Sequence, residues 1–349
     1  MSIEKQTPRL GNTILYKALQ ERILVLDGAM GTMLQRHKFT EADFRSERFK
    51  NYPYDVKGNN DLLSITQPEA IADVHAQYFA AGADIVETNT FSATTIAMAD
   101  YHMEDLVDEL NIQSAQIARK VADDFTAREP HKPRFVAGAI GPTNKTASMS
   151  PDVNDPGYRA ITFDELRVAY KQQAAGLIKG GVDILLVETV FDTLNAKAAL
   201  FAISELKEEL NLDIPVMVSG TITDASGRTL SGQTAEAFMI SIEHIPLLSV
   251  GFNCALGAKQ LTPYLETVAS KSPFGISAYP NAGLPNAFGE YDESPEQMAS
   301  QIREYLDKSL INIIGGCCGT TPDHIAAIAK IAAEYKPRPI PSLQKLAYA

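Results

Sequence analysis

The chain has 349 residues, 45% of them apolar, which is enough to bury one large α/β core. Its formal charge of −12, with the basic residues scattered, excludes a nucleic-acid partner, because nothing would neutralise phosphates. No apolar run is long enough to span a membrane, and the opening MSIEKQTPRL lacks the apolar segment of a secretory signal, so a cytoplasmic protein with a small-molecule ligand is expected.

Eight strand-like apolar runs follow in chain order, separated by helical segments: 23–27 (ILVLD), 84–88 (DIVET), 134–140 (RFVAGAI), 183–189 (DILLVET), 215–220 (PVMVSG), 248–254 (LSVGFNC), 274–279 (FGISAY) and 311–316 (INIIGG). That rhythm predicts a parallel sheet with crossover helices, and eight is the number of a (β/α)8 TIM barrel. Thr66 with Glu69, Thr162 with Glu165 and Ser294 with Gln297 read as capping boxes, while Gly82 and Gly181 read as helix stops. A doubly wound open sheet is the competing architecture, but its first turn should read G-x-G-x-x-G and here reads DGAMGT. The segments after the first, third, fifth and seventh strands are long and rich in Gly, Pro, Asn and Ser, so function is expected on that face.

Only three cysteines occur, Cys254 in GFNC and the adjacent Cys317 and Cys318 in GGCCG, each at the end of an apolar strand. An odd count with two neighbours argues against a structural disulfide, and the absence of C-x2-C argues against a zinc finger. Gathered by the fold, three thiolates would leave a tetrahedral Zn²⁺ one ligand short, open to a thiol substrate. Taken singly, each reads first as an inert core thiol. Asp27 ends the first strand and Glu188 the fourth, and Glu87 in VETNTF has the same standing. A carboxylate ending a core strand is costly without a cation or several donors, which makes it a site candidate, although capping a loop or helix is the alternative. Barrel closure would bring Asp27 beside Cys317 and Cys318.

Together the runs GFNCALG and GGCCGTTPDHI resemble the zinc-dependent homocysteine S-methyltransferase family. Within it, LDGAMGTM, KGNNDLL, ETNTF, SPDVNDP, ETVFDTLNAK, GTITDASGRTLSGQT and PNAGLPNAFGEYD are similar to the homocysteine-binding barrel of cobalamin-dependent methionine synthases. The resemblance implies Cys254, Cys317 and Cys318 as zinc ligands through which catalysis runs. It implies Asp27, Gly28 and Glu188 as substrate-binding residues, the two acids on the amino group of L-homocysteine. The implied activity is methyl transfer from methylcobalamin to homocysteine, activated as a zinc thiolate, to give methionine. A free thiol has a pKa of about 8.5, so metal binding is what supplies the nucleophilic thiolate at neutral pH.

The implied partners are cobalamin- and folate-binding modules, carried on another chain or on a further C-terminal part, since no such module follows residue 335. A barrel over 1–335 and a Pro-containing tail or linker over 336–349 are the expected divisions. His75 falls in DVHAQY, which lacks the glycine of the corrin-binding D-x-H-x-x-G motif, and reads as an ordinary helix residue; His324 reads as a surface or packing residue. Two other readings stand beside the cobalamin one: a homocysteine methyltransferase using betaine or S-methylmethionine, and a non-catalytic zinc-binding protein.

Overall fold

Each of the eight apolar runs forms a strand, because a parallel strand covered on both faces has no use for polar residues in its middle. The computed structural model describes residues 10–223 and 226–341, and places β1 at Leu24–Val25, β2 at Ile85–Glu87, β3 at Phe135–Ile140 and β4 at Ile184–Val190. Then come β5 at Val216–Gly220, β6 at Ser249–Gly257, β7 at Gly275–Asn281 and β8 at Ile313–Ile314. All pairings are parallel, in the order β1-β8-β7-β6-β5-β4-β3-β2. The ends of that order meet through the single bridge Leu26↔Ile85, supported by Asp27 N–H donating to Ile85 O at 3.0 Å, which rounds the sheet into a (β/α)8 barrel.

The period of two along each strand sorts side chains between two cores. Leu24, Leu26, Ile85, Phe135, Ile184, Leu186, Met217 and Ile313 fill the barrel interior. Val25, Val86, Val136, Leu185, Val187, Val218 and Ile314 face outward, under the helices. By the same parity Glu87 and Glu188 arrive inside, at the upper end.

The lower end is plugged by Leu15, Ala18 and Leu19 of the helix Leu10–Glu21 and by Ile340. Arg338 runs beneath the barrel as well, its guanidinium donating to the carbonyls of Ala269, Ser272 and Phe274. These residues belong to the segment read from sequence as a tail or linker; 342–349, the rest of it, lies outside the described residues.

Thr162 with Glu165 and Ser294 with Gln297 form the expected capping boxes. Gly82 (φ 110°) and Gly181 (φ 102°) take the left-handed conformation that ends a helix. Thr66 does not cap. It is the last residue of the helix Leu63–Thr66, its hydroxyl donates back to Leu62 O at 3.3 Å, and the next helix, Pro68–Ala80, starts after Gln67 with proline at its first turn. Proline's fixed φ and missing N–H do there what a capping side chain does elsewhere. Among the described residues no helix is long and apolar enough to cross a membrane.

Candidate metal centre

Two irregular strands aim the upper-rim side chains. The β6–β7 register shifts between Asn253 and Gly257, and the β4–β5 register shifts between Val187 and Val190. Cys254 (φ 61°), Ala255 (φ 56°) and Thr189 (φ 55°) occupy left-handed backbone that costs a non-glycine residue about 1–3 kcal/mol. The Asn253 side chain ties the two bulges together. Its Oδ1 accepts from Thr189 N at 3.1 Å and from Ser219 Oγ at 2.7 Å, and its Nδ2 donates to Thr189 Oγ1 at 2.9 Å and to Cys317 Sγ at 3.8 Å.

The other two thiols stand on a tight turn after β8. Cys317 N donates to Pro280 O at 2.8 Å, Cys318 N to Asn281 Oδ1 at 3.1 Å, and Thr320 returns to Cys317 O through its N–H (3.0 Å) and its hydroxyl (2.6 Å). Gly316 is required there, since a Cβ would lie 2.5 Å from the Thr320 methyl carbon. Gly28 faces the same threonine, 2.7 Å from where its own Cβ would be.

The sulfurs of Cys254, Cys317 and Cys318 lie within 4.8 Å of one another, with Cys254 and Cys318 3.7 Å apart. Zn–S bonds of about 2.3 Å at tetrahedral angles separate ligand sulfurs by about 3.8 Å, close to the Cys254–Cys318 spacing, so this thiol set is suited to zinc. Hydrogen bonding from Cys254 and then Cys317 holds the Cys318 thiol well below its ordinary pKa, while hydrogen bonding with the same two neighbours and burial push Cys317 up. Tyr291, beside Cys318, keeps its proton to unusually high pH because of burial and then the charge of Cys318.

Below the thiols, one open cavity of about 1000 Å³ includes Asp27, Gly28, Glu87, Glu188 and Tyr279. Asp27 is 2% exposed; one carboxylate oxygen accepts from Glu87 N at 3.0 Å and the other has no partner. Burial, reinforced by Glu188, pushes its pKa well up. Glu188, 4% exposed, is raised to about 8 by burial and by Cys318, with the nearby Tyr279 hydroxyl acting the other way. Burial, then Glu188 and Asp27, raises Glu87 as well. Among the described residues no lysine or arginine forms an ion pair with any of the three.

The structure therefore gathers every residue singled out from the sequence, Cys254, Cys317, Cys318, Asp27, Gly28, Glu188 and Glu87, around one cavity. Asn253 and Tyr279 were missed, although strand parity could have placed both inside. His324 caps its own helix: its ring pairs with Thr321 Oγ1 at 3.0 Å and Glu293 O at 2.8 Å. His75 is fully buried, with both ring nitrogens unpartnered and its pKa lowered to about 4 by burial.

The fold is similar to that of the homocysteine methyltransferase MmuM from Escherichia coli. Its metallated form matches with a TM-score of 0.70 at 22% identity, covering 92% of this chain and 99% of that one. The oxidized form gives 0.69 at 23%, covering 88% and 96%. A family model described as homocysteine S-methyltransferase matches residues 24–332, a span that takes in all eight strands, both bulges and the three cysteines. The chain belongs to the homocysteine S-methyltransferase family.

Proposed function

We propose that this barrel binds zinc through Cys254, Cys317 and Cys318 and methylates L-homocysteine with a methyl group from methylcobalamin, giving methionine. The observation that carries the reading is the pairing, across one cavity, of a three-thiol cluster with buried carboxylates that have no cation of their own. Held by these three cysteines, zinc would supply the Lewis acidity that makes a substrate thiol nucleophilic at neutral pH. Asp27 and Glu188 receive the ammonium group, whose positive charge offsets the cost of keeping both carboxylates ionised. Gly28 follows Asp27 on the cavity wall, where a side chain would collide with Thr320 and Tyr78, so its bare backbone is what faces the amino-acid end. Asn253 holds the strands of Glu188 and Cys254 in fixed relation, so the sulfur is oriented while the amino group is held.

In the transfer a sulfur–carbon bond forms as the donor's bond to methyl breaks, the bonding pair leaving with the donor and the thiol proton passing to solvent. Methylcobalamin as donor is supported by the SPDVNDP and PNAGLPNAFGEYD loops, through their resemblance to cobalamin-dependent enzymes. On that reading, cobalamin- and folate-binding modules elsewhere present and recharge it. A small cationic donor, such as S-methylmethionine or betaine, is the second reading. It is favoured by Asp61 and Asp100, which line the same cavity beside Tyr101 and Phe91; Asp61 is raised to about 6 by burial. Supplying zinc-loaded protein and homocysteine with each donor in turn and measuring methionine tests the choice. Methionine from methylcobalamin is the expected result, and methionine only from the cationic donors overturns it.

A further inference from the structure

Tyr279 carries a buried polar atom that the activity described so far does not use. It lies on β7 with its ring in the barrel interior, 1% exposed, and it lines the cavity. Its hydroxyl makes no hydrogen bond of good geometry, although Glu188 and Ser219 lie close enough to act on it. The Ser219 hydroxyl nearby is committed to Asn253 Oδ1 at 2.7 Å. An unpaired buried hydroxyl costs about 1–3 kcal/mol, and phenylalanine would fill the same volume without that cost. Among the described residues, one other polar atom of the cavity lining is both buried and unpartnered, the free oxygen of Asp27.

Asp27, Glu188 and Tyr279 line one cavity, and together they offer the acceptors that a primary ammonium needs. Such a group has three N–H donors and needs three acceptors. Asp27 and Glu188 supply two. We infer that the phenolic oxygen of Tyr279 is the third, accepting one N–H of the substrate ammonium while its own O–H donates to Glu188. The floor is thereby built for an unsubstituted amino group, because a quaternary ammonium has no N–H to give and would leave Tyr279 unpaired. Glu188 and Glu87 are the carboxylates whose charge acts on this phenol, and its proton is held firmly by burial first and then by those two acids, so it is available to donate.

The inference rests on homocysteine being the ligand, and the test separates the two. Zinc-loaded wild type and Tyr279→Phe are titrated calorimetrically with L-homocysteine and with 4-sulfanylbutanoate, the same thiol acid without the amino group. Loss of one hydrogen bond to a charged group should weaken homocysteine by roughly 10- to 100-fold. The deaminated analogue should bind both proteins within about twofold, since it has no N–H to lose. Zinc content should be unchanged and the melting temperature no lower, because the variant removes only an orphaned oxygen. Equal homocysteine affinity in the two proteins, or equal weakening for both ligands, overturns the role of Tyr279. A wild type that does not prefer homocysteine to the analogue overturns the substrate reading along with it.

Discussion

Buried carboxylates occur at both ends of this barrel, and the two ends treat them oppositely. At the lower end Asp84, 1% exposed, accepts from Val25 N at 2.8 Å and is paired with Arg22 at 2.7 Å and Lys132 at 3.7 Å. At the upper end Asp27 and Glu188 are similarly withdrawn from water and Glu87 is half-buried beside them, yet among the described residues nothing basic is paired with them. The lower acid fastens β2 to β1 and has its charge balanced by two cations, although one of its oxygens accepts no hydrogen bond. The upper acids are incomplete, and a buried charge without a partner is tolerable only if a ligand completes it or a proton neutralises it. The fold thus spends its own cations on the end that needs only to be stable.

Substitutions at the two ends should therefore separate binding from stability. The largest effect belongs to the upper end: Asp27→Asn should weaken homocysteine by about 2–5 kcal/mol, as removal of one member of a desolvated charge pair does. Zinc content should stay the same and unfolding should not become easier. Calorimetric titration and a melting curve check both halves, and a destabilised variant with intact affinity would erase the contrast.

Arg22→Ala at the lower end should do the reverse. Asp84 keeps Lys132, and Arg22 is 36% exposed, so the cost should fall below the 3–5 kcal/mol of a fully buried pair, at about 2 kcal/mol in denaturant unfolding. Homocysteine affinity of the folded fraction should be unaltered.

The smallest effect is a pH dependence. Glu188 has its folded pKa raised to about 8 against an ordinary value of 4.5, so between those values the folded state binds more protons than the unfolded one. Stability of the metal-free, substrate-free protein should consequently fall as pH rises from about 4.5 through 8. Glu188→Gln should remove about 1–3 kcal/mol of that decline, part of it persisting because Asp27 and Glu87 are raised too. Parallel stability–pH curves for the two proteins would show that Glu188 is not held protonated.

The contrast also explains what could be read in advance. Glu188 and Glu87 stood out because each interrupts an apolar run, and the three cysteines because each ends one; their convergence then followed from closure. Asn253 and Tyr279 lay inside the predicted runs 248–254 and 274–279 but carry no charge, so neither stood out as a costly burial. Asn253 matters through the register shifts at Val187/Val190 and Asn253/Gly257, and a shift depends on the partner strand, which no local pattern encodes. Thr66 failed as a cap for a related reason: two helices meet there, and the capping pattern spans their junction.

The clamp that Asn253 makes between the bulges has one more implication. Because a single amide grips the strand of Glu188 and the strand of Cys254, the interval between the acid floor and the sulfur cluster cannot stretch or shrink to suit its guest. On the proposed reading, the barrel mouth is then a gauge of chain length. An amino acid whose thiol stands one methylene closer to its ammonium should engage the carboxylates and the sulfurs together less well than homocysteine does. Cysteine should then bind more weakly, which the same calorimetric titration checks.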